Sequence, residues 1–444
     1  MNPQRIDVYR RGECSVPSAD RFVLYWMQNA FRLKNNYSLC HAVEYARSCS
    51  LPLVVYMAPV EDEISLCQYP FFLEGAREVF TALCEKSIYA ILRDRASCRE
   101  LTALAERADL VVMDYPYGRC TEALQQQVAS QCNVSIDRVD SNVIVPIQEA
   151  SEKQEYMAWT IRKKLHAQKE HFLEECMSSF STKPLSSAQI KAITGIVSEK
   201  QHHPLAATLW ITGGESAARA QLDYFLTTHL PVYHKDARDP SKAVTSNISP
   251  YLHFGHISPV TIYHAVCAAT APMAAKDAFI EQFFVRRELA YNFVHYTPGY
   301  DQYEEAVPAW ARRSLATHGT DRREHIYDYS DLEQGKTADV YWNAAQRQMR
   351  KTGLMHNYMR MYWGKCLLAW SSTPEEAFSR ALSLQNTYAL DGYDPNTYTG
   401  VAWCFGRHDR PWQERKLYGN VRYMNAAGLK RKFSMDTYLA QYST

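Results

Sequence analysis

The sequence lacks the patterns that mark several common classes of protein. Its twelve cysteines contain no Cys-x-x-Cys pair, and the first residues, Met1-Asn-Pro-Gln-Arg5, contain no apolar signal-peptide core. No apolar run approaches the roughly 18 residues of a membrane span, and no ligand set for a metal is evident. We therefore expect a cytoplasmic protein with reduced thiols, nucleoid-associated if the source is prokaryotic, that neither contacts a membrane nor holds a metal.

Charge of one sign is also missing, because the formal net charge of the 444 residues is only +1. No global field therefore indicates a nucleic-acid partner. The exception is residues 401–444, where eight Lys and Arg residues stand against three acids, a net charge of +5. The segment Trp403-Cys-Phe-Gly-Arg-His-Asp-Arg-Pro-Trp412 interleaves aromatic residues with arginine just before this basic tail, a composition that suits base stacking and phosphate contacts.

Residues 1–165 alternate short apolar runs with helical stretches. Near-continuous apolar strands separated by helices are typical of a parallel sheet covered on both faces, so we predict a doubly wound, Rossmann-like α/β domain. No Gly-x-Gly-x-x-Gly follows the first strand, so the dinucleotide fingerprint of that topology is absent. The predicted strands are Phe22–Met27, Pro52–Met57, Ile88–Leu92, Leu110–Met113 and Val134–Val139.

The rest of the chain changes character. Residues 166–205 are interpreted as an interdomain linker, and residues 206–444 as an all-α domain, in which Gly213-Gly214 opens one helix and Thr373-Pro374 another. The run Arg162-Lys-Lys164 could touch DNA, although a solvated helix face explains it more simply.

Three polar motifs fall in the helical part. Thr245-Ser-Asn-Ile-Ser249 precedes Pro250, so we expect Ser249 to cap a helix whose start suits a phosphate, although a capped helix needs no ligand. Glu281-Gln282 lies four or five residues before Arg286, so an acceptor and a cation can share a helix face. The turn Asp391-Gly-Tyr-Asp-Pro-Asn396 carries two carboxylates, one of which Arg360 could neutralise.

Five of the nine tryptophans lie between Trp342 and Trp412. Trp363 and Trp370 are seven residues apart, which places them on one helix face about two turns apart. A tryptophan-rich core accounts for any one of them, whereas several beside a polar loop indicate a chromophore with redox-active neighbours.

Together these motifs resemble the photolyase/cryptochrome family, most closely its class II cyclobutane pyrimidine dimer photolyases. The likeness covers most of the helical domain and, more weakly, the first domain through Tyr25-Trp-Met27. The segments that carry it are Ser249-Pro-Tyr-Leu-His-Phe-Gly255, Val285-Arg-Arg-Glu-Leu289, Trp342-Asn-Ala-Ala-Gln346, Met359-Arg-Met-Tyr-Trp363, Asp394-Pro-Asn396, Arg422-Tyr-Met-Asn425 and Lys430-Arg-Lys-Phe433.

The resemblance implies light-driven splitting of a pyrimidine dimer, flipped out of duplex DNA, by electron transfer from reduced FAD in a monomeric enzyme. Whether the first domain also holds an antenna pigment, a deazaflavin or a folate, stays open. By this likeness Trp363, Trp342 and Trp370 form an electron relay in that order, and Asn396 faces flavin N5. The implied FAD contacts are Tyr233, Thr245, Ser246, Asn247, Ser249, Arg360, Asp391, Asp394 and Asn396. The implied lesion and DNA contacts are Gln282, Arg286, Met361, Trp412, Arg410 and Arg431.

The sequence departs from the class II pattern where it would meet the substrate. Gln282 stands where a second glutamate is usual, so it can donate a hydrogen bond but cannot carry charge, and Glu281 is the alternative. Tyr393 replaces a common arginine. Two other functions stay open: a cryptochrome-like photoreceptor, which the short C-terminal segment disfavours, and a (6-4) photolyase, which would need His356 or His408 as an acid.

Overall fold

The structure is a computed structural model, and it describes residues 1–176, 180–197 and 210–442. Six strands form one sheet in the order β1-β6-β5-β2-β3-β4. Five of them run parallel, which confirms the predicted doubly wound α/β fold. The strands are β1 (Ile6–Arg10), β2 (Phe22–Met27), β3 (Leu53–Met57), β4 (Tyr89–Leu92), β5 (Ala108–Asp114) and β6 (Ser135–Val139).

Strand β1 is the one strand that the sequence did not predict. It pairs antiparallel with β6 at the edge of the sheet, from Ile6 opposite Val139 to Arg10 opposite Ile136. An edge strand buries little of its surface, and Val8 is half-exposed, so β1 lacks the apolar run from which a strand is predicted.

The helices cover both faces of the sheet and then form the rest of the chain. They are α1 (Tyr37–Ser48), α2 (Tyr69–Glu85), α3 (Cys98–Ala105), α4 (Arg119–Gln131), α5 (Ile147–Ala150), α6 (Ala158–Gln168), α7 (Ser187–Ile196), α8 (Glu215–Tyr224), α9 (Tyr233–Asp236), α10 (Ser249–His253), α11 (Pro259–Ala268), α12 (Met273–Ile280), α13 (Arg287–Tyr296), α14 (Tyr303–Ala306), α15 (Ala309–Thr317), α16 (Tyr329–Gln334), α17 (Val340–Thr352), α18 (Asn357–Trp370), α19 (Pro374–Tyr388), α20 (Pro395–Cys404), α21 (Ala426–Lys432) and α22 (Met435–Tyr442). Two π-helical segments, Phe225–His229 and Glu281–Arg286, extend α8 and join α12 to α13. Short 3-10 turns lie at Pro3–Arg5, Ser18–Asp20, Glu61–Glu63, Lys169–His171, Leu230–Val232 and Pro240–Lys242.

Alternate side chains of the strands enter two different cores. Val23 and Tyr25 of β2 point toward α1 and α2, and this core continues without a break into the helical part of the chain, as far as Leu289 of α13 and Leu390. Leu24 and Trp26 point to the other face, where α3, α4 and α7 cover them. The helical part has its own second core, and in the segment 210–442 it contains no β-strand, as predicted.

The predicted linker is more ordered than a surface connector. Ile193 of α7 is completely buried against the outer face of the sheet, and Cys176 forms a disulfide with Cys40 of α1. The expectation that every cysteine is a free thiol is therefore wrong for this pair. Part of the predicted linker, residues 177–179 and 198–205, lies outside the described residues.

One buried carboxyl group connects the helical part to the sheet layer. Glu288 of α13 accepts hydrogen bonds from the backbone amides of Ile144 (2.5 Å) and Val145 (3.3 Å). Burial, opposed by those two hydrogen bonds and by Arg287, raises the pKa of Glu288 to about 8. Within the described part of the chain, no helix is long and apolar enough to cross a membrane.

Candidate functional site

A cavity of about 620 Å³ opens in the helical part of the chain. This volume is in the range of sites that enclose a small organic ligand, roughly 300–1,000 Å³. All nine residues that the resemblance assigned to a cofactor line it: Tyr233, Thr245, Ser246, Asn247, Ser249, Arg360, Asp391, Asp394 and Asn396. The chain therefore brings together residues more than 160 positions apart in sequence.

The loop before α10 forms one wall of this cavity. Asn247 has a left-handed backbone, with φ of 52°, and its amide oxygen accepts a hydrogen bond from Thr245 Oγ1 at 2.9 Å. Gln221 of α8 holds the loop from behind by donating to the carbonyl of Ser246 at 2.8 Å. The expected cap is wrong in detail, because α10 begins at Ser249 itself and Ile248 takes the N-cap position without a side-chain hydrogen bond.

The opposite wall is formed by α18 and by the turn that leads into α20. Arg360 Nη2 donates to Asp391 Oδ1 at 2.6 Å, so the ion pair expected between them is present and partly buried. Gly364 lets α18 and α20 pack closely, because a Cβ atom there would lie only 2.6 Å from Sγ of Cys404 on α20.

Asp394 caps α20 and organises Asn396. Its Oδ1 accepts from the backbone amide of Asn396 at 2.8 Å and from Asn396 Nδ2 at 2.7 Å. Its Oδ2 lies 3.4 Å from His253 Nδ1. Burial works to raise the pKa of Asp394, but the hydrogen bond and charge of His253 together with Arg287 outweigh it, so this pKa lies below its usual value. Asn396 lines the cavity, and because Nδ2 is engaged with Asp394 its amide oxygen is the acceptor available to a ligand.

The π-helical segment Glu281–Arg286 presents Gln282 and Arg286 to the cavity. Glu281 does not line it: Arg162 of α6 donates to both carboxylate oxygens of Glu281, at 2.9 and 2.8 Å, and Arg286 Nε lies 3.5 Å away. The structure therefore leaves the position facing the cavity to Gln282. Burial and the charges of Arg162 and Arg238, opposed by Glu281, lower the pKa of Arg286 from its ordinary value.

The residues expected to contact DNA do not all lie in the same place. Met361 lines the cavity, whereas Trp412 does not: it lies on the surface, 42% exposed, with Arg410 and Arg422 over its ring at 5.8 and 5.2 Å. Trp412 therefore lies outside the cavity lining, and its contact with DNA stays a prediction. Arg410 and Arg431 are exposed and also lie outside the cavity lining.

Trp403 and Arg287 are among the cavity residues to which the sequence assigned no role. Trp403 lines the cavity with the Arg286 guanidinium 5.2 Å above its ring, which gives the site an aromatic wall. Arg287 is buried, and its Nη1 has no hydrogen-bond partner while Nη2 donates to Tyr291. Trp403 belongs to the aromatic and basic segment singled out above, but nothing in that pattern separates it from Trp412. Arg287 could have been suspected only from its place beside Arg286.

The three tryptophans assigned to a relay form a chain of ring contacts on α17 and α18, and none of them lines the cavity. The rings of Trp363 and Trp342 are 5.9 Å apart and nearly parallel, and Trp370 meets Trp342 edge-on at 5.5 Å. Trp363 and Trp342 are completely buried and Trp370 is partly exposed. The order along the stack is therefore the order expected, from the buried interior toward the surface.

The two histidines considered as acids are poorly suited to that role. His356 lines the cavity, but its Nδ1 accepts from the amide of Tyr358 at 3.2 Å and its Nε2 lies 3.2 Å from the carbonyl of Ala237. His408 lies outside the cavity lining. Burial lowers the pKa of each to about 4, so both are neutral at pH 7. Among the described residues, no group of His, Cys, Asp and Glu could hold a metal ion.

Comparison with known proteins places the chain in a family. A family model described as DNA photolyase matches residues 23–184. A protein from Methanothermobacter thermautotrophicus named deoxyribodipyrimidine photo-lyase is 39% identical over 426 residues, which cover 94% of both chains. The chain belongs to the deoxyribodipyrimidine photo-lyase family.

Other members of this family confirm the relationship over nearly the whole chain. Proteins of the same name from Oryza sativa and Potorous tridactylus are 38% and 34% identical over 94% and 98% of this chain, and over 87% and 84% of their own. A class III photolyase structure from Agrobacterium tumefaciens superimposes with a TM-score of 0.74 at 19% identity, covering 95% of this chain and 86% of its own. A Synechocystis cryptochrome gives the same TM-score at 14% identity, covering 96% and 89%. These two structures support the fold alone.

Proposed function

We propose that this member of the photo-lyase family repairs DNA with light, splitting cyclobutane pyrimidine dimers by means of a reduced FAD held in the 620 Å³ cavity. The observation that carries the proposal is the convergence of the nine expected cofactor residues on this cavity, together with Gln282 and Met361. Helices α17 and α18, which contribute Gln348, Arg360 and Met361 to the cavity lining, also carry the tryptophan stack.

The residues present fit the chemistry of FAD. The loop with Thr245, Ser246 and Asn247 offers hydroxyl, amide and backbone donors, which suit a pyrophosphate. Arg287 brings a buried guanidinium whose Nη1 has no protein partner, and an anionic cofactor would satisfy it. Burial raises the pKa of Tyr233 to about 12, so its hydroxyl remains a neutral donor at the same end of the cavity.

When bound, reduced FAD would absorb light and donate an electron to the dimer, and the electron would return to it once the cyclobutane ring has opened, with no net redox change. The chain's own residues bind and orient the cofactor and the dimer, and they exclude water from the cavity. Asn396 offers an amide oxygen, a neutral acceptor suited to flavin N5, because Asp394 holds its nitrogen. Arg360 balances the charge of Asp391 and, because a guanidinium stays protonated, does not act as a proton donor in the reaction.

The substrate side of the cavity is polar and aromatic. Gln282 can donate to a pyrimidine carbonyl, and Met361 and Trp403 provide apolar surface for the flipped dimer. Base-flipping enzymes, photolyases among them, offset an extrusion cost of a few kcal/mol with such contacts, and a damaged pair lowers that cost. The Trp363, Trp342 and Trp370 stack would restore reduced flavin by passing electrons inward from the surface.

The proposal extends to the whole chain. Residues 1–165 form the α/β domain and residues 206–444 the helical domain, joined by residues 166–205, in a monomeric, cytoplasmic enzyme. An antenna pigment, deazaflavin or folate, would occupy the α/β domain, and the absorption spectrum of the purified protein would identify it because these pigments absorb differently from FAD.

A repair assay tests the proposal directly. The protein, reduced with dithionite, is illuminated with blue light in the presence of an oligonucleotide that contains one thymine dimer, and intact dimer is measured by chromatography. We expect dimer loss in the light and none in the dark. An intact dimer after illumination would instead favour the photoreceptor alternative. Repair of a (6-4) photoproduct in place of the thymine dimer would favour a (6-4) photolyase.

A further inference from the structure

An exposed face lies on the segment that enters α6. Tyr156 is 52% exposed and Trp159 is 62% exposed, while Ile161 and Leu165 turn inward and are completely buried. Lys163 lies one helical turn after Trp159, so the two side chains share one side of the helix. We call Tyr156, Trp159 and Lys163 the connector face.

The connector face lies beside the cavity. Arg162, three residues after Trp159, forms a two-pronged ion pair with Glu281, and Glu281 immediately precedes Gln282 in the cavity wall. Residues three apart are neighbours on a helix surface, so Trp159 is on the side of α6 that turns toward the π-helical segment. The ion pair thereby fixes the connector face next to the position that we assign to the lesion.

The connector face is also joined to the aromatic and basic segment at the other side. Tyr156 OH donates to the carbonyl of Asp409 at 2.9 Å, and His408 Nδ1 lies 2.7 Å from the carbonyl of Tyr156. Asp409 in turn accepts from Trp412 Nε1 at 3.1 Å, and Arg410 follows it directly. The connector face and the Arg410–Trp412 surface are therefore parts of one rim.

The charges of this rim suit a phosphate backbone. Arg162 is neutralised by Glu281 and Lys164 by Glu155, whereas Lys163 is exposed and has no ion-pair partner among the described residues. The burial-lowered pKa of Arg286 also reflects the positive charges of Arg162 and Arg238 close by. An exposed indole next to an unpaired cation combines the two contacts by which proteins bind nucleic-acid strands without reading their sequence.

We propose that the connector face binds the DNA beside the lesion, with Trp159 stacking on a base left unpaired when the lesion flips out and Lys163 contacting a backbone phosphate. This inference rests on the proposed function and assigns part of the substrate to residues outside the cavity. The basic triplet at 162–164 then has two tasks, since Arg162 positions the face and Lys163 binds the strand.

Substrates of two lengths test the inference. Affinity is measured for a long duplex with one central thymine dimer, and light-driven repair is measured for an isolated thymine-dimer dinucleotide that can occupy only the cavity. Stacking energies predict that Trp159→Ala weakens duplex binding about fivefold or more. Lys163→Gln should lower the slope of log affinity against log salt by about 1. Both variants should repair the dinucleotide at the wild-type rate.

Matched controls are Tyr224→Ala and Lys191→Gln, an aromatic residue and a lysine that are exposed on α8 and α7. Thermal melting checks that every variant folds. Wild-type duplex affinity and salt slope in both connector-face variants would overturn the inference, and so would an equal loss on the dinucleotide. If the wild-type protein repairs neither substrate, the proposed function fails, while duplex binding still decides the role of the connector face.

Discussion

Trp342 donates its indole N–H to the backbone carbonyl of Trp363 at 3.0 Å, and the two rings lie only 5° from parallel. The Trp363 N–H is used as well, because it donates to Gln346 Oε1 at 2.9 Å. Both indoles are therefore held in place by α17 and α18 as a rigid pair, and neither depends on a ligand for its orientation.

This arrangement predicts the behaviour of Trp363→Phe. Phenylalanine is much harder to oxidise than tryptophan, so flavin photoreduction should fall by at least about tenfold, an expectation equivalent to about 1.4 kcal/mol in the barrier. Repair by chemically reduced protein should persist. Trp310→Phe, in α15 of the same core, is the matched control. Photoreduction at the wild-type rate in Trp363→Phe would remove this residue from the relay.

The Arg360–Asp391 pair predicts a loss of cofactor retention. Arg360→Gln leaves the largely buried Asp391 carboxylate without its cation, and an uncompensated buried charged group costs about 1–3 kcal/mol or more. We expect a lower melting temperature and less FAD per chain, measured from absorbance after gel filtration. Asp391→Asn added to Arg360→Gln should recover part of the stability, and strict additivity of the two changes would contradict a direct interaction.

Gln282 predicts a selective effect on damaged DNA. Gln282→Ala removes a hydrogen-bond donor from the cavity wall, a change of about 0.5–1.5 kcal/mol or roughly threefold to tenfold in affinity for the lesion. Binding to undamaged duplex should not change, because phosphate contacts lie elsewhere. Gln126→Ala, at an exposed glutamine of α4 outside the cavity lining, serves as the matched control. Equal losses on damaged and undamaged DNA would argue against a contact with the dimer.

The exposed basic residues predict a strong dependence on salt. Affinity for lesion DNA should fall linearly with the logarithm of salt concentration, because each phosphate contact releases counterions. Arg410→Gln and Arg431→Gln should each lower the slope by about 1 while leaving repair of a saturated substrate unchanged. A flat salt response in the wild-type protein would contradict the assignment of this surface.

Glu288 predicts how stability changes with pH. Its folded-state pKa of about 8 lies above the ordinary value of 4.5, so between these pH values the folded protein retains a proton that the unfolded chain has lost. Stability should therefore fall as pH rises through this window, with a slope of up to about 1.4 kcal/mol per pH unit, and level off above about pH 8. Denaturant unfolding of Glu288→Gln at pH 5 to 8 should show a shallower slope than the wild type, and parallel curves would contradict the assignment.

Sequence patterns predicted the architecture wherever burial dictated it. Four of the five parallel strands are apolar runs because helices cover both of their faces, whereas β6 carries the buried Asp137 and Arg138. The Thr373 cap is present, with its side chain accepting from the amide of Glu376. The edge strand β1 was not predicted, because its exposed residues do not form the apolar pattern on which a strand prediction depends. The Cys40–Cys176 disulfide was not predicted for a different reason: the two cysteines are 136 residues apart, and spacing alone cannot pair them.

In the candidate site, too, some features follow from the sequence and others do not. Local motifs singled out the Thr245–Ser249 loop and the Asp391–Asn396 turn, which both line the cavity, because each is continuous in sequence and has its own backbone chemistry. Sequence did not separate Trp403 from Trp412, although only Trp403 lines the cavity. The two follow one another within ten residues, and which of them points inward depends on how α20 ends, at a turn where Gly406 and His408 both have positive φ.

The contact between Glu288 and the amides of Ile144 and Val145 has a consequence for how such a protein can be divided or recombined. Helix α13 carries Glu288 toward the sheet layer and Arg287 and Ala290 toward the cavity, so one helix belongs to both parts at once. A helical fragment expressed alone would expose the Glu288 carboxyl and lose the support of a cavity wall. Chimaeras between relatives should therefore exchange residues 140–145 together with α13, since the hydrogen bonds of Glu288 depend on both segments.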